Sequence, residues 1–213
     1  MNNLNPFKFT SEKLPARLNV LVYEPNVIAH MGINHMLASL DSITLYQHSI
    51  NDLSSVASDS CQFSADVIFI STGIHNHEAI AVLQFLTRKR ESGNGTPVVI
   101  CLGQENPSLA NMLFAFGANN VLSPDVSEQK LQHSLTDIFA AKNTDIPVPR
   151  LTYRECQVIQ RLMSGYTLTQ IAAQTRRNVR TVSAQKCKAL AKLDMNMTGE
   201  LQILAGELNN EPR

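Results

Sequence analysis

Five short runs of almost unbroken Val, Ile and Leu, spaced evenly through the first two thirds of the chain, limit its fold more than any other feature. They are LNVLVY (18–23), ITLYQ (43–47), DVIFIS (66–71), PVVICL (97–102) and NVLS (120–123). A strand with one wet face alternates apolar and polar residues; a strand covered by helices on both faces has no reason to alternate. Between the runs lie segments with helical spacing: 26–40 (Ile28, Met31, Met36, Leu37, Leu40), 78–90 (Ile80, Leu83, Leu86), 107–116 and 125–141. Asn94-Gly95 and Gly117 mark turns. Ser123-Pro124-Asp125 ahead of Glu128 reads as a helix start, with Pro124 preset for the first turn. Alternation repeated five times over about 125 residues predicts a doubly wound α/β domain, a five-stranded parallel sheet between two helical layers, over 18–141.

The last third follows a different pattern. Thr152 with Glu155, and Thr167 with Gln170, each have the spacing of a capping box and each open an apolar-periodic run. The first helix, 153–163, would bury Val158, Ile159 and Leu162, and Gly165 would close it in a left-handed conformation. The second, 168–175, would pack through Leu168, Ile171 and Ala172. Asn178 can cap a third, in which Val182, Ala189 and Leu193 form the inward stripe. Its other side presents Arg180, Ser183, Ala184, Cys187 and Lys188, with Lys186 at the flank and Arg177 just ahead. Over residues 176–192 there are six Lys and Arg and no acid. Two capped helices followed by a cationic third predict a helix-turn-helix that lays its last helix in a DNA major groove. Small Ser183 and Ala184 would let the backbone approach base edges, while the Arg and Lys side chains grip phosphates.

The formal net charge of zero conceals an asymmetry. Residues 1–149 hold 8 Lys and Arg against 13 Asp and Glu, or −5; residues 150–213 hold 10 against 5, or +5. The basic part is the one that attracts polyphosphate. Residues 1–17 are polar and read as a flexible lead-in, and 142–150, with Pro147 and Pro149, read as a stiffened linker before a domain spanning 151–213. No run approaches the ~18 apolar residues of a membrane span. Cys61, Cys101, Cys156 and Cys187 are scattered without a C-x-x-C pair, which fits reduced thiols in a cytoplasmic protein and neither a disulfide framework nor a zinc site.

Both parts together resemble the LuxR/FixJ (NarL-type) response regulators. In the C-terminal part the resemblance rests on Leu151-Thr152-x-Arg154-Glu155, Gly165, Ile171-Ala172, Thr181-Val182 and Lys192-Leu193. Within the family the chain is similar to the RcsB/BglJ branch of enterobacterial regulators, through GYTLTQIAAQTRRNVRTVSAQK and NVLVYEPNVIAHMGI. The resemblance implies a receiver domain joined to a DNA-binding domain, with base contacts at Ser183, Ala184 and Cys187. It further implies bacterial cytoplasm, association with the nucleoid when bound, and action as a homodimer or as the companion of an RcsB-like regulator on promoter DNA. Asp194 replaces a family glycine in the turn after the third helix, and the last helix, 199–208, lies where the family pairs two DNA-binding domains; its Leu201, Leu204, Ala205 and Leu208 equally suit packing on the first helix.

The resemblance also implies a phosphorylation site, and there this sequence departs from the pattern. Laid over the family, Glu24 and Pro25 occupy the acidic pair, Ser71 the phospho-acceptor aspartate, Leu102 the Thr/Ser and Pro124 the lysine. One Glu beside a neutral hydroxyl offers Mg²⁺ too few hard oxygens, and Ser71 has no positioned base. Aspartyl-phosphate switching is therefore expected to be lost and the domain to serve protein contact. His75-x-His77-Glu78 reads as a polar loop, Met31 and Met36 as core filler, and Gly93-Asn94-Gly95 as a turn without the Lys that a phosphate loop needs. No catalytic constellation, metal site, cofactor or small-molecule site is expected. The expectation is a sequence-specific transcription regulator that is no enzyme; its alternative is an adaptor or anti-activator that pairs with a regulator without touching DNA.

Overall fold

The computed structural model describes residues 17–40, 44–50, 53, 64–140 and 149–209, with 44–50 described in backbone only. Most of the expected lead-in and linker lie outside these residues. Strands β1 (Arg17–Tyr23), β2 (Thr44–Ile50), β3 (Val67–Ser71), β4 (Val98–Cys101) and β5 (Asn120–Leu122) align in the order β2-β1-β3-β4-β5. Every neighbouring pair is parallel. The order reverses between β1 and β3, so the crevice beyond their C-terminal ends is where such a sheet places a ligand site.

Helices α1 (Val27–Ala38), α2 (Ala79–Ser92), α3 (Pro107–Phe116) and α4 (Glu128–Phe139) connect the strands. Successive strand residues point to opposite faces, and both faces are buried. Leu18, Val20, Val22, Val67 and Phe69 pack with Ile33 and Leu37 of α1 and Leu131 and Leu135 of α4. Leu21, Tyr23, Ile68, Ile70 and Ile100 pack with Leu83 and Leu86 of α2 and Met112, Leu113 and Phe116 of α3. Two covered faces are why the strand sequences run apolar without alternating.

Two expectations fail locally. The inward stripe of α1 is Ile33, Leu37 and then Leu40, whereas Val27, Ile28 and Met31 are 73%, 81% and 66% exposed. At 100° per residue one helix can aim a single stripe at the sheet, and Ile33 and Leu37, one turn apart, take it. Pro124 and Asp125 form a turn instead of opening α4. The helix begins at Glu128 behind Ser127, whose Oγ accepts from the Lys130 amide at 3.3 Å. An N-cap hydroxyl with an acid in the first turn is the stronger start.

The C-terminal domain holds α5 (Tyr153–Met163), α6 (Leu168–Thr175), α7 (Val179–Lys192) and α8 (Thr198–Asn209). Both capping boxes form. The Glu155 amide donates to Thr152 Oγ1 at 3.3 Å while the Thr152 amide donates to Glu155 Oε2 at 2.7 Å. The Gln170 amide donates to Thr167 Oγ1 at 3.3 Å, and the Thr167 amide to Gln170 Oε1 at 2.8 Å. Gly165 closes α5 at φ 82°, Arg176 ends α6 at φ 52° and Asp194 follows α7 at φ 56°, all left-handed.

One apolar core continues from α2 and α3 into Leu151, Ile159, Leu190, Leu204 and Leu208. The two domains are joined by more than apolar packing. The Leu151 amide donates to the Ala115 carbonyl at 2.8 Å, and Gln160 Nε2 donates to Thr87 Oγ1 at 3.0 Å. Helices α5 and α8 therefore dock on α2.

Candidate nucleic-acid interface

The interface is built on α7. Asn178 caps it, its Oδ1 accepting from the Arg180 amide at 2.8 Å. Val182, Ala189, Leu190 and Leu193 are buried, and through them α7 packs on α5 and α6. That leaves the other side outward. Arg180, Ala184, Cys187 and Lys188 are exposed, and Arg177 and Ser183 are half-buried at its margin. Thr181 and Ala191 are exposed on the same side. The 3.6-residue period places them there, yet a reading keyed to charge passes over them.

Lys186 is half-buried at the flank, in an open groove of about 590 Å³ between the end of α7 and Thr198 of α8. Lys192 leaves the cationic face altogether. Its Nζ donates to Glu155 Oε2 at 2.7 Å and to the Arg150 carbonyl at 3.2 Å, so it ties α7 to the start of α5. Burial works to raise the Glu155 carboxyl, but Lys192 and the Thr152 donors more than offset it and hold it below the usual carboxylate range. The charge on Lys192 is structural.

The residues laid over the phosphorylation pattern lie at or just past the C-terminal ends of β1, β3, β4 and β5. Glu24 follows β1, buried, its Oε1 accepting from the Asn26 amide at 2.8 Å. Ser71 ends β3, buried, its Oγ accepting from the Gly73 amide at 3.0 Å. Leu102 follows β4 and is buried, while Pro25 and Pro124 are exposed. Because Cys101 pairs with Leu122, the residue in register with Leu102 is Ser123, one before Pro124; neither carries an amine. Burial, and then the Glu24 charge, push the Cys101 thiol up to about 12, so it stays neutral.

The loops beyond β3 and β4 are tied to each other beside this edge of the sheet. The Thr72 hydroxyl donates to Asn76 Oδ1 at 2.6 Å, the Gly103 amide donates to both side chains, and Asn76 Nδ2 donates to the Gln104 carbonyl at 2.9 Å. A Cβ on Gly103 would lie 1.8 Å from the Gly73 carbonyl oxygen. His75 and Asn76 are left-handed. Among the described residues no group of three His, Cys, Asp or Glu could hold a metal ion. Nor is any described helix long and apolar enough to cross a membrane.

The arrangement, an α/β domain wound on both faces followed by a capped helix-turn-helix with its third helix outward, is that of a two-domain transcription regulator. Residues 149–205 match the family described as bacterial regulatory proteins, luxR family. The C-terminal domain belongs to that family. No curated protein matches the chain. Among solved structures, the Salmonella typhimurium RcsB response regulator is 15% identical, with 89% of this chain and 98% of that chain covered at a TM-score of 0.47. A structure of two RcsB dimers bound to two parallel DNAs is 18% identical, with 91% and 100% covered at 0.48. The signal receiver domain of NarL from Mycobacterium tuberculosis is 15% identical, covering 60% of this chain and 100% of its own at 0.51, and it shows the receiver fold of the N-terminal part.

Proposed function

We propose that the protein is a sequence-specific DNA-binding transcription regulator that acts independently of its own phosphorylation, as a dimer or in a pair with an RcsB-like regulator. The outward face of α7 carries this reading. Arg177, Arg180 and Lys188 supply phosphate contacts, with Lys186 at the flank, and Ser183, Ala184 and Cys187 meet base edges in the groove. Each phosphate contact steepens the log–log salt dependence by about −0.9.

Two observations support independence from phosphorylation. The edge that would hold Mg²⁺ has Glu24 as its only carboxylate among the five positions laid over the site, with Ser71 where an acyl-phosphate would form. The loops after β3 and β4, beside that edge, are also fixed to each other through Thr72, Asn76 and Gly103. The exposed Val27, Ile28 and Met31 on α1 favour a protein partner, because an apolar group of this kind is unusual on a surface that meets only water.

The test is DNA binding by the whole chain, with and without an RcsB-type partner, mapped genome-wide and then on recovered sites. Arg180→Glu with Lys188→Glu should remove both binding and regulation. Regulation that survives the double variant is the signature of an adaptor that leaves DNA untouched.

A further inference from the structure

A cleft of about 210 Å³ opens where the end of α2 and the end of α3 meet the first residues of the C-terminal domain. Three cations line it: Lys89 and Arg90 from α2, and Arg150 from the other domain. Among the described residues no carboxylate stands within ion-pair distance of any of them. Burial first, and Arg150 second, lower the Lys89 amine to about 8. Burial, then Arg90, lowers the Arg150 guanidinium in the same way. Like charges have been brought together partly out of water, and no described carboxylate answers them.

The ordinary explanation is that cations collect at helix C-termini. It accounts for part of the arrangement, since Lys89 Nζ donates to the Asn94 carbonyl at 2.7 Å, just past the end of α2. Two helix ends contribute about −0.5 each, however, against three full positive charges. Arg150 is also held in place. The next amide, of Leu151, is bonded to Ala115, Lys192 holds the Arg150 carbonyl, and the guanidinium lies beside Gly117 where a Cβ would sit 3.5 Å from it.

We infer that this cleft binds a compact tetrahedral oxyanion, a free phosphate or the phosphoryl group of a small metabolite, bridging the receiver-like domain to the DNA-binding domain. Arg150 offers a planar fork suited to two phosphoryl oxygens, and Lys89 adds a point charge from the other domain. The volume admits a phosphoryl group with its waters. Because the ligand touches both domains, its binding favours the docked arrangement.

Sulfate, whose charge is constant from about pH 6.5 to 9.5, is the first probe, titrated into the full chain by calorimetry against chloride of equal ionic strength. A saturable single site with a Kd of about 1 mM or tighter is expected. Lys89→Gln with Arg150→Gln should weaken it at least tenfold (~1.4 kcal/mol), while Arg180→Glu with Lys188→Glu leaves it unchanged. Affinity should fall as pH rises through about 8, where Lys89 loses its proton. Should the double variant not fold, Arg90→Gln, at an exposed side chain, decides: severalfold weaker binding supports the site and unchanged binding overturns it. Inorganic phosphate and glycerol 3-phosphate then separate the sources, tighter binding of the ester indicating a metabolite and tighter binding of phosphate a free anion. A response no different from chloride overturns the inference. So does a site indifferent to Lys89 and Arg150, or one lost with Arg180 and Lys188.

Discussion

Two lysines one turn apart on α7 have opposite fates, and the reason is what each can reach. Lys188 meets solvent; Lys192, four residues on, meets a carboxylate that is already half satisfied by a helix cap. Glu155 thus closes the N-terminus of α5 and anchors the end of α7 at once. Glu155→Gln leaves the Lys192 amine without its counter-charge and weakens the cap. A loss of about 1–3 kcal/mol is expected in denaturant unfolding. Because the folded carboxyl sits below its ordinary value, the stabilisation is present above about pH 4.3 and is lost as pH falls through the lower folded value. The Glu155→Gln protein should therefore show a shallower acid limb than the parent. Gly103 gives a second residue-scale prediction. Gly103→Ala drives a Cβ into the Gly73 carbonyl and should cost about 2–4 kcal/mol through the backbone shift it forces. A Tm unchanged by this substitution contradicts the close approach of the loops after β3 and β4.

At the scale of elements, caps and periodicity carry most of the information. The three helices of the helix-turn-helix are legible because each begins with a side chain that satisfies its own first turn, and because their apolar spacing has a single solution. Thr152→Ala should accordingly cost about 1 kcal/mol, read in the same unfolding assay. The strands are legible from composition, since burial on both faces leaves unbroken Val and Ile. The outward residues of α1 were not, because Ile28 and Met31 fit a helical stripe as well as Ile33 and Leu37 do in one dimension. Only the sheet's position chooses between them. The start of α4 is ambiguous in sequence for a related reason: Pro124 and Ser127 both have the chemistry of a helix start, and turn geometry after β5 decides for Ser127. The inward turn of Lys192 and the cationic cleft at Arg150 depend on contacts 37 and 42 residues apart or across domains, which no local pattern encodes.

Across the whole molecule, docking of α5 and α8 on α2 leaves the outer face of α7 in solvent, so the surface proposed to meet DNA needs no unmasking. On the proposed reading the N-terminal domain acts without phosphorylation and offers its surface to partners, and the exposed apolar group on α1 is the first place to look. Ile28→Glu with Met31→Glu should weaken self-association or pairing with an RcsB-type regulator, measured by sedimentation, while the monomer's Tm changes little because neither side chain is buried. Treatment with a phosphoryl donor such as acetyl phosphate should change neither association nor DNA affinity.

On the proposed function, α7 reads DNA through its outward cationic face. Fluorescence anisotropy of the full chain with a recovered promoter fragment, across a salt series, tests it most directly. The predicted result is a log–log slope of about −3 or steeper for the parent, and loss of specific binding in a folded Arg180→Glu, Lys188→Glu protein. Equal affinity and an unchanged slope in that double variant would contradict it.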